Sequence, residues 1–160
     1  MSFAAKLAAF APKATVRSLT CLTLAGGAIL LAPLAGLADD SYYVMQVRNR
    51  LMNLAERMGY VSVAEPYVSL LGRETYDSAT YNLEAGTSYM IMATCDEDCE
   101  DLDLELYDAD GNLLAYDSAV DPTPMVSFTP DYSGPYTVDV IMYACSTPAC
   151  YQAVDVFVAP

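Results

Sequence analysis

The sequence contains no histidine and no tryptophan, and its two lysines, Lys6 and Lys13, both stand near the N-terminus. Without histidine the chain cannot build a Ser-His-Asp or Cys-His catalytic centre, nor a zinc site with an imidazole ligand. The absence of tryptophan weakens the case for stacking sugar rings, although 13 tyrosines, all beyond residue 40, offer aromatic rings instead. Binding, structural and carboxylate-based functions stay open.

Basic residues are scarce after residue 38. All 21 acidic residues lie in residues 39–160, with only four arginines beside them, which gives this segment a net charge of −17. A surface so negative repels the phosphate backbone of nucleic acids and avoids anionic lipid surfaces. We therefore exclude nucleic acid as a partner and retain cations, basic proteins and neutral sugars.

The first forty residues differ in character from the rest. A basic N-terminal segment precedes an apolar run over residues 19–38, which ends in small residues at Gly36 and Ala38 before Asp39. This order is typical of a secretory signal peptide, here residues 1–38 with cleavage after Ala38. We predict bacterial export to the periplasm or the medium, with no stable membrane insertion after cleavage. An uncleaved anchor is the alternative, because the run is nearly long enough to span a bilayer.

Four cysteines remain beyond the predicted cleavage site, at Cys95, Cys99, Cys145 and Cys150. An even number of cysteines in an exported chain indicates disulfides. We favour the pairs Cys95–Cys99 and Cys145–Cys150, because the members of each pair lie close in sequence at a predicted loop. One alternative has the two loops side by side with bridges crossing between them. The other is a four-cysteine zinc site, which these spacings fit poorly.

The organisation of the chain beyond residue 38 combines one helix with many short strands. Apolar residues in 41–58 recur at three- and four-residue steps, which predicts an amphipathic helix within residues 39–59. This helix either packs on the core of its own domain, which we favour, or docks a partner. Residues 60–160 show short alternating segments with frequent turn residues. They predict an all-β fold, a jelly-roll-like antiparallel β-sandwich preceded by the one helix.

The clearest strand covers residues 102–107. Its three leucines alternate with Asp103, Glu105 and Tyr107, the period of two expected of a strand with one buried face. The same alternation places Asp101 on the polar side. Residues 108–112 follow as a hairpin turn, because aspartate and glycine in this order are typical of such turns.

Two further strands, residues 136–143 and 151–158, end the chain. If they pair as a hairpin with their valine faces together, the numbers of paired residues sum to an even value. The numbers of Cys145 and Cys150 sum to an odd value. A bridge between these cysteines would therefore close the connecting loop rather than join opposed strand positions.

Three stretches carry a family pattern: LEAGTSYMIMA (83–93), LDLELYDADGNLLAYDS (102–118) and SGPYTVDVIM (133–142). Together, over residues 82–158, they resemble the bacterial pre-peptidase C-terminal domain. The resemblance implies a jelly-roll-like β-sandwich that assists export or binds surfaces and polymers without doing chemistry. The chain departs from the family by its helical segment and its two cysteine loops, so we expect a stand-alone exported module.

An acidic stretch at residues 95–112 places nine carboxylates in eighteen positions. Within its Cys95–Asp103 loop the candidate calcium ligands are Asp96, Asp98, Asp101 and Asp103. Calcium takes six to eight oxygen ligands, and a disulfide could fold this loop back over the start of the strand. The alternative is a solvated strand face followed by an ordinary turn. Calcium is the one cofactor that the sequence predicts, as an alternative to none.

Tyr107 and Tyr116 form a candidate binding face. Tyr107 projects from its strand beside Glu105, and Tyr116 is expected across the hairpin from it. Exposed tyrosine with carboxylates suits a glycan or a basic protein, although tyrosines are also ordinary strand formers.

A carboxylate-based hydrolase is a further alternative, with Asp101 and Asp103 as its acid and base. No apolar pocket is visible that would separate their pKa values, which disfavours it. We predict a non-enzymatic exported binding or envelope-structural module, whose partner is an envelope or extracellular protein or glycan.

Overall fold

The computed structural model describes residues 40–160, which form one helix and nine strands. The helix, α1, runs from Asp40 to Met58. The strands in chain order are β1 (Val61–Ser62), β2 (Tyr67–Gly72), β3 (Thr75–Leu83), β4 (Tyr89–Cys95), β5 (Cys99–Tyr107), β6 (Leu113–Asp117), β7 (Met125–Phe128), β8 (Gly134–Cys145) and β9 (Ala149–Val158). The predicted signal peptide and its cleavage site lie outside the described residues.

The strands form two antiparallel sheets. The four-stranded sheet has the order β3-β8-β5-β6. The five-stranded sheet has the order β1-β9-β4-β7, and β2 also pairs with β9, along the same edge as β1. The prediction of an antiparallel β-sandwich with one N-terminal helix is confirmed.

The main core lies between the two sheets and is built by alternating apolar residues. The four-stranded sheet contributes fully buried side chains from β5 and β8, namely Leu102, Leu104, Leu106, Val138, Val140 and Met142. The five-stranded sheet faces them with residues of β4 and β9, namely Ile91, Ala93, Val154 and Val156. Successive side chains of a strand point to opposite faces. The residues between these core positions therefore lie on the outer faces of the sheets.

Helix α1 covers the outer face of the five-stranded sheet. Val47, Leu51 and Ala55 recur at four-residue steps and are buried. They pack with Met92, Ala153 and Phe157 in a second apolar cluster. The helix therefore packs on its own domain, the first of the two interpretations of its amphipathic pattern. Within residues 40–160, no helix is long and apolar enough to cross a membrane.

The C-terminus of α1 is closed by Gly59, whose φ is 80°. The Gly59 amide donates to the carbonyl of Glu56 at 3.0 Å, and the Tyr60 amide donates to the carbonyl of Ala55 at 2.9 Å. These two bonds form a Schellman motif, in which glycine is favoured because the left-handed conformation strains other residues. The motif turns the chain towards β1, and Tyr60 packs against the cluster beneath the helix.

The last two strands do not form a hairpin. β8 pairs with β3 and β5, whereas β9 pairs with β1, β2 and β4. The valine faces of β8 and β9 meet across the core instead of side by side, an arrangement that the same alternation permits. The Cys145–Cys150 disulfide closes the connection between them, as predicted, although this connection joins two sheets and not the two strands of a hairpin.

Asp155 is a fully buried carboxylate on β9, beside β1. It accepts hydrogen bonds from Ser62 Oγ at 2.6 Å and from the Val156 amide at 2.7 Å. Burial raises the pKa of Asp155 from 3.8 to about 6, and the two hydrogen bonds offset only part of this effect. Between these values the folded state binds a proton that the unfolded state has lost. The contribution of Asp155 to the free energy of unfolding therefore falls as pH rises from about 4 to about 6.

We expect Asp155→Asn to raise the free energy of unfolding at neutral pH, because an amide can keep the hydrogen bond to Ser62 without a buried charge. The gain should be on the order of 1–2 kcal/mol, a value that allows for solvent screening. The variant should also lose the part of the decline in stability between about pH 4 and pH 6 that Asp155 contributes. Urea unfolding across this range checks both effects, with the exposed Asp131→Asn as control. Parallel pH curves for the wild type and Asp155→Asn would contradict this account.

Candidate functional site

The outer face of the four-stranded sheet carries a row of polar side chains. The strand register pairs Ser78 with Asp139, Asp139 with Glu105, and Glu105 with Tyr116. Ser78 Oγ donates to the Asp139 carboxylate at 2.6 Å. The four strands contain no lysine or arginine. Carboxylates directly opposite one another repel and destabilise a sheet. Because these strands have no basic residue, the sheet does not neutralise the negative charge of this row.

A groove of about 540 Å³ lies along this face, where β3, β8 and β5 meet the β5–β6 turn. Tyr76 of β3 and Tyr107 of β5 line it on either side of β8, which contributes Thr137 and Asp139. A second depression of about 130 Å³ shares Asp108, Ala109 and Pro135 with the groove and extends it to Tyr132. Tyr76, Tyr107 and Tyr132 are therefore lining residues of two adjoining depressions.

The tyrosines of the groove differ in how firmly they are held. Tyr76 is 64% exposed and Tyr132 is 72% exposed. The Tyr107 hydroxyl donates to the Glu105 carboxylate, and this hydrogen bond is the main reason that the pKa of Tyr107 rises to about 12. Tyr107 is therefore protonated at physiological pH, and its ring is anchored to the sheet.

The two tyrosines predicted from the sequence occupy different positions. Tyr107 lines the groove, but Tyr116 does not. A bulge between Leu106 and Tyr107 pairs Tyr107 with Leu113 and leaves Tyr116 opposite Glu105. The expectation that Tyr116 lies across from Tyr107 is therefore wrong, although Tyr116 shares the outer face. The role of both residues in binding stays a prediction.

Asp139, Tyr76 and Tyr132 are among the groove residues that sequence reasoning missed. Asp139 stands between the buried Val138 and Val140, so the alternation that placed Glu105 outside would also have identified it. Tyr76 and Tyr132 carry no such signal. They reach the groove only through the pairing of β3 with β8 and through the loop before β8, contacts that the local sequence does not reveal.

The two disulfide loops lie side by side at one end of the sandwich. Cys99 is the register partner of Cys145, and Ser146 donates through its amide and Oγ to the Asp98 carbonyl at 2.8 and 2.9 Å. The bridges nevertheless run Cys95–Cys99 and Cys145–Cys150, which confirms the favoured pairing. All four cysteines are therefore in disulfides, and none of them offers a thiolate to a zinc ion. Two disulfides in one small domain are typical of an oxidising compartment.

Asp96 is the most deeply engaged of the four candidate calcium ligands. It is buried, and its carboxylate accepts hydrogen bonds from the Tyr151 amide at 2.6 Å and the Asp98 amide at 3.2 Å. Burial raises the pKa of Asp96, and the two amides partly offset this rise. The carboxylate thus connects the first disulfide loop to the start of β9. The Asp98 side chain is half-buried at the rim of the same loop.

The other two candidate ligands lie on β5. Asp101 was expected on the solvated side but is only 5% exposed, because the register shifts on both sides of it. Asp103 lies on the outer face, and its pKa is raised by burial and then by the charge of Asp101. Across residues 40–160, no three acidic, cysteine or histidine side chains are arranged to hold a metal ion. Calcium binding stays a prediction.

Comparison with known proteins yields a structural likeness. No model of a known protein family matches the chain, and no curated protein matches it. The chain is similar in structure to the pre-peptidase C-terminal domain of a collagenase from Bacillus anthracis, with 16% sequence identity and a TM-score of 0.48. The likeness covers 60% of this chain and 90% of that chain. That domain belongs to the family which the three sequence stretches resemble, and the likeness concerns the fold alone.

Proposed function

We propose that the protein is an exported, non-enzymatic binding module that holds a glycan of the cell envelope or its surroundings in the groove of the four-stranded sheet. The observation that carries this proposal is the position of Tyr76 and Tyr107 on either side of Thr137 and Asp139. Aromatic rings provide apolar faces for a sugar, and the hydroxyl and carboxylate between them provide hydrogen bonds to its hydroxyl groups.

The geometry of the groove favours a glycan over a folded protein partner. Its volume of about 540 Å³ is typical of sites for small ligands. Its extension past Pro135 to Tyr132 offers a further ring to a longer chain. Because Tyr107 is already anchored by Glu105, little side-chain entropy is lost when a ligand binds it.

The carboxylates that line the groove support binding rather than hydrolysis. Asp108 accepts hydrogen bonds from the Asn112 side chain, the Asn112 amide and the Asp110 amide, and these contacts, the first above all, lower its pKa. Asp139 accepts a hydrogen bond from Ser78 on an open face. General acid–base catalysis needs one group shielded so that its pKa approaches the working pH. The pKa of Asp108 is lowered, away from the working pH, so Asp108 does not meet this requirement.

Export is part of the same proposal. The N-terminal 38 residues have the composition of a signal peptide, and the domain contains two disulfides that form readily only outside the reducing cytoplasm. We place the protein in the bacterial periplasm or the external medium, where envelope glycans are accessible.

We expect Tyr76→Ala and Tyr107→Ala each to weaken binding to isolated envelope polysaccharide by roughly 5- to 30-fold, since one aromatic contact contributes about 1–2 kcal/mol. Co-sedimentation with increasing amounts of insoluble polysaccharide measures this. Tyr143→Ala is the matched control, because Tyr143 is an exposed tyrosine of β8 that does not line the groove. Equal binding by all three variants would contradict the proposal. Binding that is lost after protease treatment of the envelope material would assign the partner as a protein instead.

Calcium-dependent binding is the second candidate function, and one observation favours it. Asp101 Oδ1 is buried and accepts no hydrogen bond within the described residues, and Asp103 lies close enough to feel its charge. A cation beside these carboxylates would relieve both the unmet hydrogen-bonding need and the repulsion. Calcium takes six to eight oxygen ligands, so the two carboxylates supply only part of a set.

If the protein binds calcium at these carboxylates, calcium should raise the melting temperature. Magnesium at equal ionic strength should not, because magnesium demands a tighter octahedral geometry. Asp101→Asn should abolish the calcium-dependent part of the rise. Differential scanning calorimetry with calcium, magnesium and chelator measures it, and Asp110→Asn in the hairpin turn serves as the control. A melting temperature that is the same in calcium and chelator would rule out the calcium site.

A further inference from the structure

A separate pocket of about 200 Å³ lies where the two disulfide loops meet α1. Its lining residues are Tyr43 of α1, Asp96 and Asp98 of the first loop, Thr147 and Ala149 of the second loop, and Tyr151 of β9. It shares no residue with the groove of the four-stranded sheet. Its function is therefore independent of the glycan proposal.

Two tyrosines in this pocket form a parallel stack. The ring centroids of Tyr43 and Tyr151 are 5.8 Å apart, and the ring planes differ by 7°. Tyr42 contacts Tyr43 edge-on with a centroid distance of 5.3 Å, and Asp96 accepts a hydrogen bond from the Tyr151 amide. Tyr42 therefore contacts the first ring, and Asp96 holds the backbone that carries the second ring. Aromatic faces attract cations, and a planar cation can extend the stack itself.

The pocket also contains a carboxylate that accepts no hydrogen bond from residues 40–160. The carboxylate oxygens of Asp96 accept hydrogen bonds from two backbone amides. The neighbouring Asp98 contributes its carbonyl and its amide to hydrogen bonds, but its half-buried carboxylate accepts none from residues 40–160. A ligand with N–H donors would find an acceptor there, beside the tyrosine stack.

The disulfide end of the sandwich already binds guanidinium groups of its own chain. Arg50 Nη1 donates to the Cys95 carbonyl at 2.9 Å, and Arg73 Nη2 donates to the Cys145 carbonyl at 2.8 Å. Neither arginine lines the pocket. The negative charge of Asp96 and Asp98 therefore faces the pocket without a cation of this chain among the lining residues.

We propose that this pocket binds the guanidinium group of an arginine side chain presented by a partner protein. The plane of the guanidinium matches the stacked rings of Tyr43 and Tyr151, and its N–H groups can donate to the Asp98 carboxylate. A lysine ammonium has no plane to stack, so arginine is the better match. The pocket has room for one side chain, and the negative charge of residues 39–160 speeds the approach of a basic partner.

The first test titrates the disulfide-bonded protein with Nα-acetyl-arginine methylamide and follows backbone amide signals by NMR. Saturable shifts should appear at Asp98, Ala149 and Tyr151. The corresponding citrulline derivative, which has nearly the same shape but no charge, is the matched ligand control and should bind at least about tenfold more weakly. The lysine derivative should also bind more weakly than the arginine derivative. Equal shifts with arginine and citrulline, or no saturable shift at these three residues, would overturn the proposal.

The second test uses variants. Asp98→Asn should weaken binding of the arginine derivative by about tenfold, because it removes the charge while keeping the shape of the side chain. The Asp98 carboxylate accepts no hydrogen bond from the described residues, so the fold should persist, which the dispersion of the amide signals checks. Asp110→Asn, an exposed carboxylate of the hairpin turn, is the control and should bind as the wild type does. Wild-type affinity in Asp98→Asn would overturn the proposal.

Discussion

The alternation of leucine and carboxylate along β5 determines which face of the four-stranded sheet forms the core and which face is acidic. Leu102, Leu104 and Leu106 are fully buried, so the same strand has to present Asp103 and Glu105 on its outer face. β8 repeats the pattern beside it with apolar residues inside and carboxylate outside. A slip of one residue would bury the carboxylates, each at a cost of several kcal/mol. The core and the acidic face are two sides of the same strands, and the register that forms the core also builds the groove.

A chain with so few basic residues has to satisfy its carboxylates by other means, and it uses hydroxyl groups. Ser78 donates to Asp139 on the outer face, and Ser62 donates to the buried Asp155. Tyr67 donates to Asp77 at 2.7 Å and is the main cause of the lowered pKa of that carboxyl. The same chemistry anchors the tyrosine of the groove. Tyr67 and Tyr107 therefore hold carboxylates in place, and the proposed function gives the ring of Tyr107 a second role in binding a glycan.

Features that depend on local sequence were predictable here, and features that depend on distant pairing were not. Strand β5 and both disulfides follow from alternation and close spacing. The separation of β8 and β9 into different sheets does not, because identical alternation serves a hairpin and a sheet-on-sheet contact equally well. A run of acidic residues predicts a solvated loop, yet Asp96 is buried because the Tyr151 amide, 55 residues away, supplies its donor. The groove could be predicted only in part from the sequence, because Tyr76 joins it through the long-range pairing of β3 with β8.

We propose that the outer face of the four-stranded sheet is the ligand-binding surface. The most direct measurement maps backbone amide shifts of the protein by NMR while soluble oligosaccharides released from envelope polysaccharide are added. Binding in the groove should shift mainly the signals of β3, β8 and the β5–β6 turn, around Tyr76, Thr137 and Asp108. Shifts confined to α1 or to the disulfide loops, with this face unchanged, would contradict it.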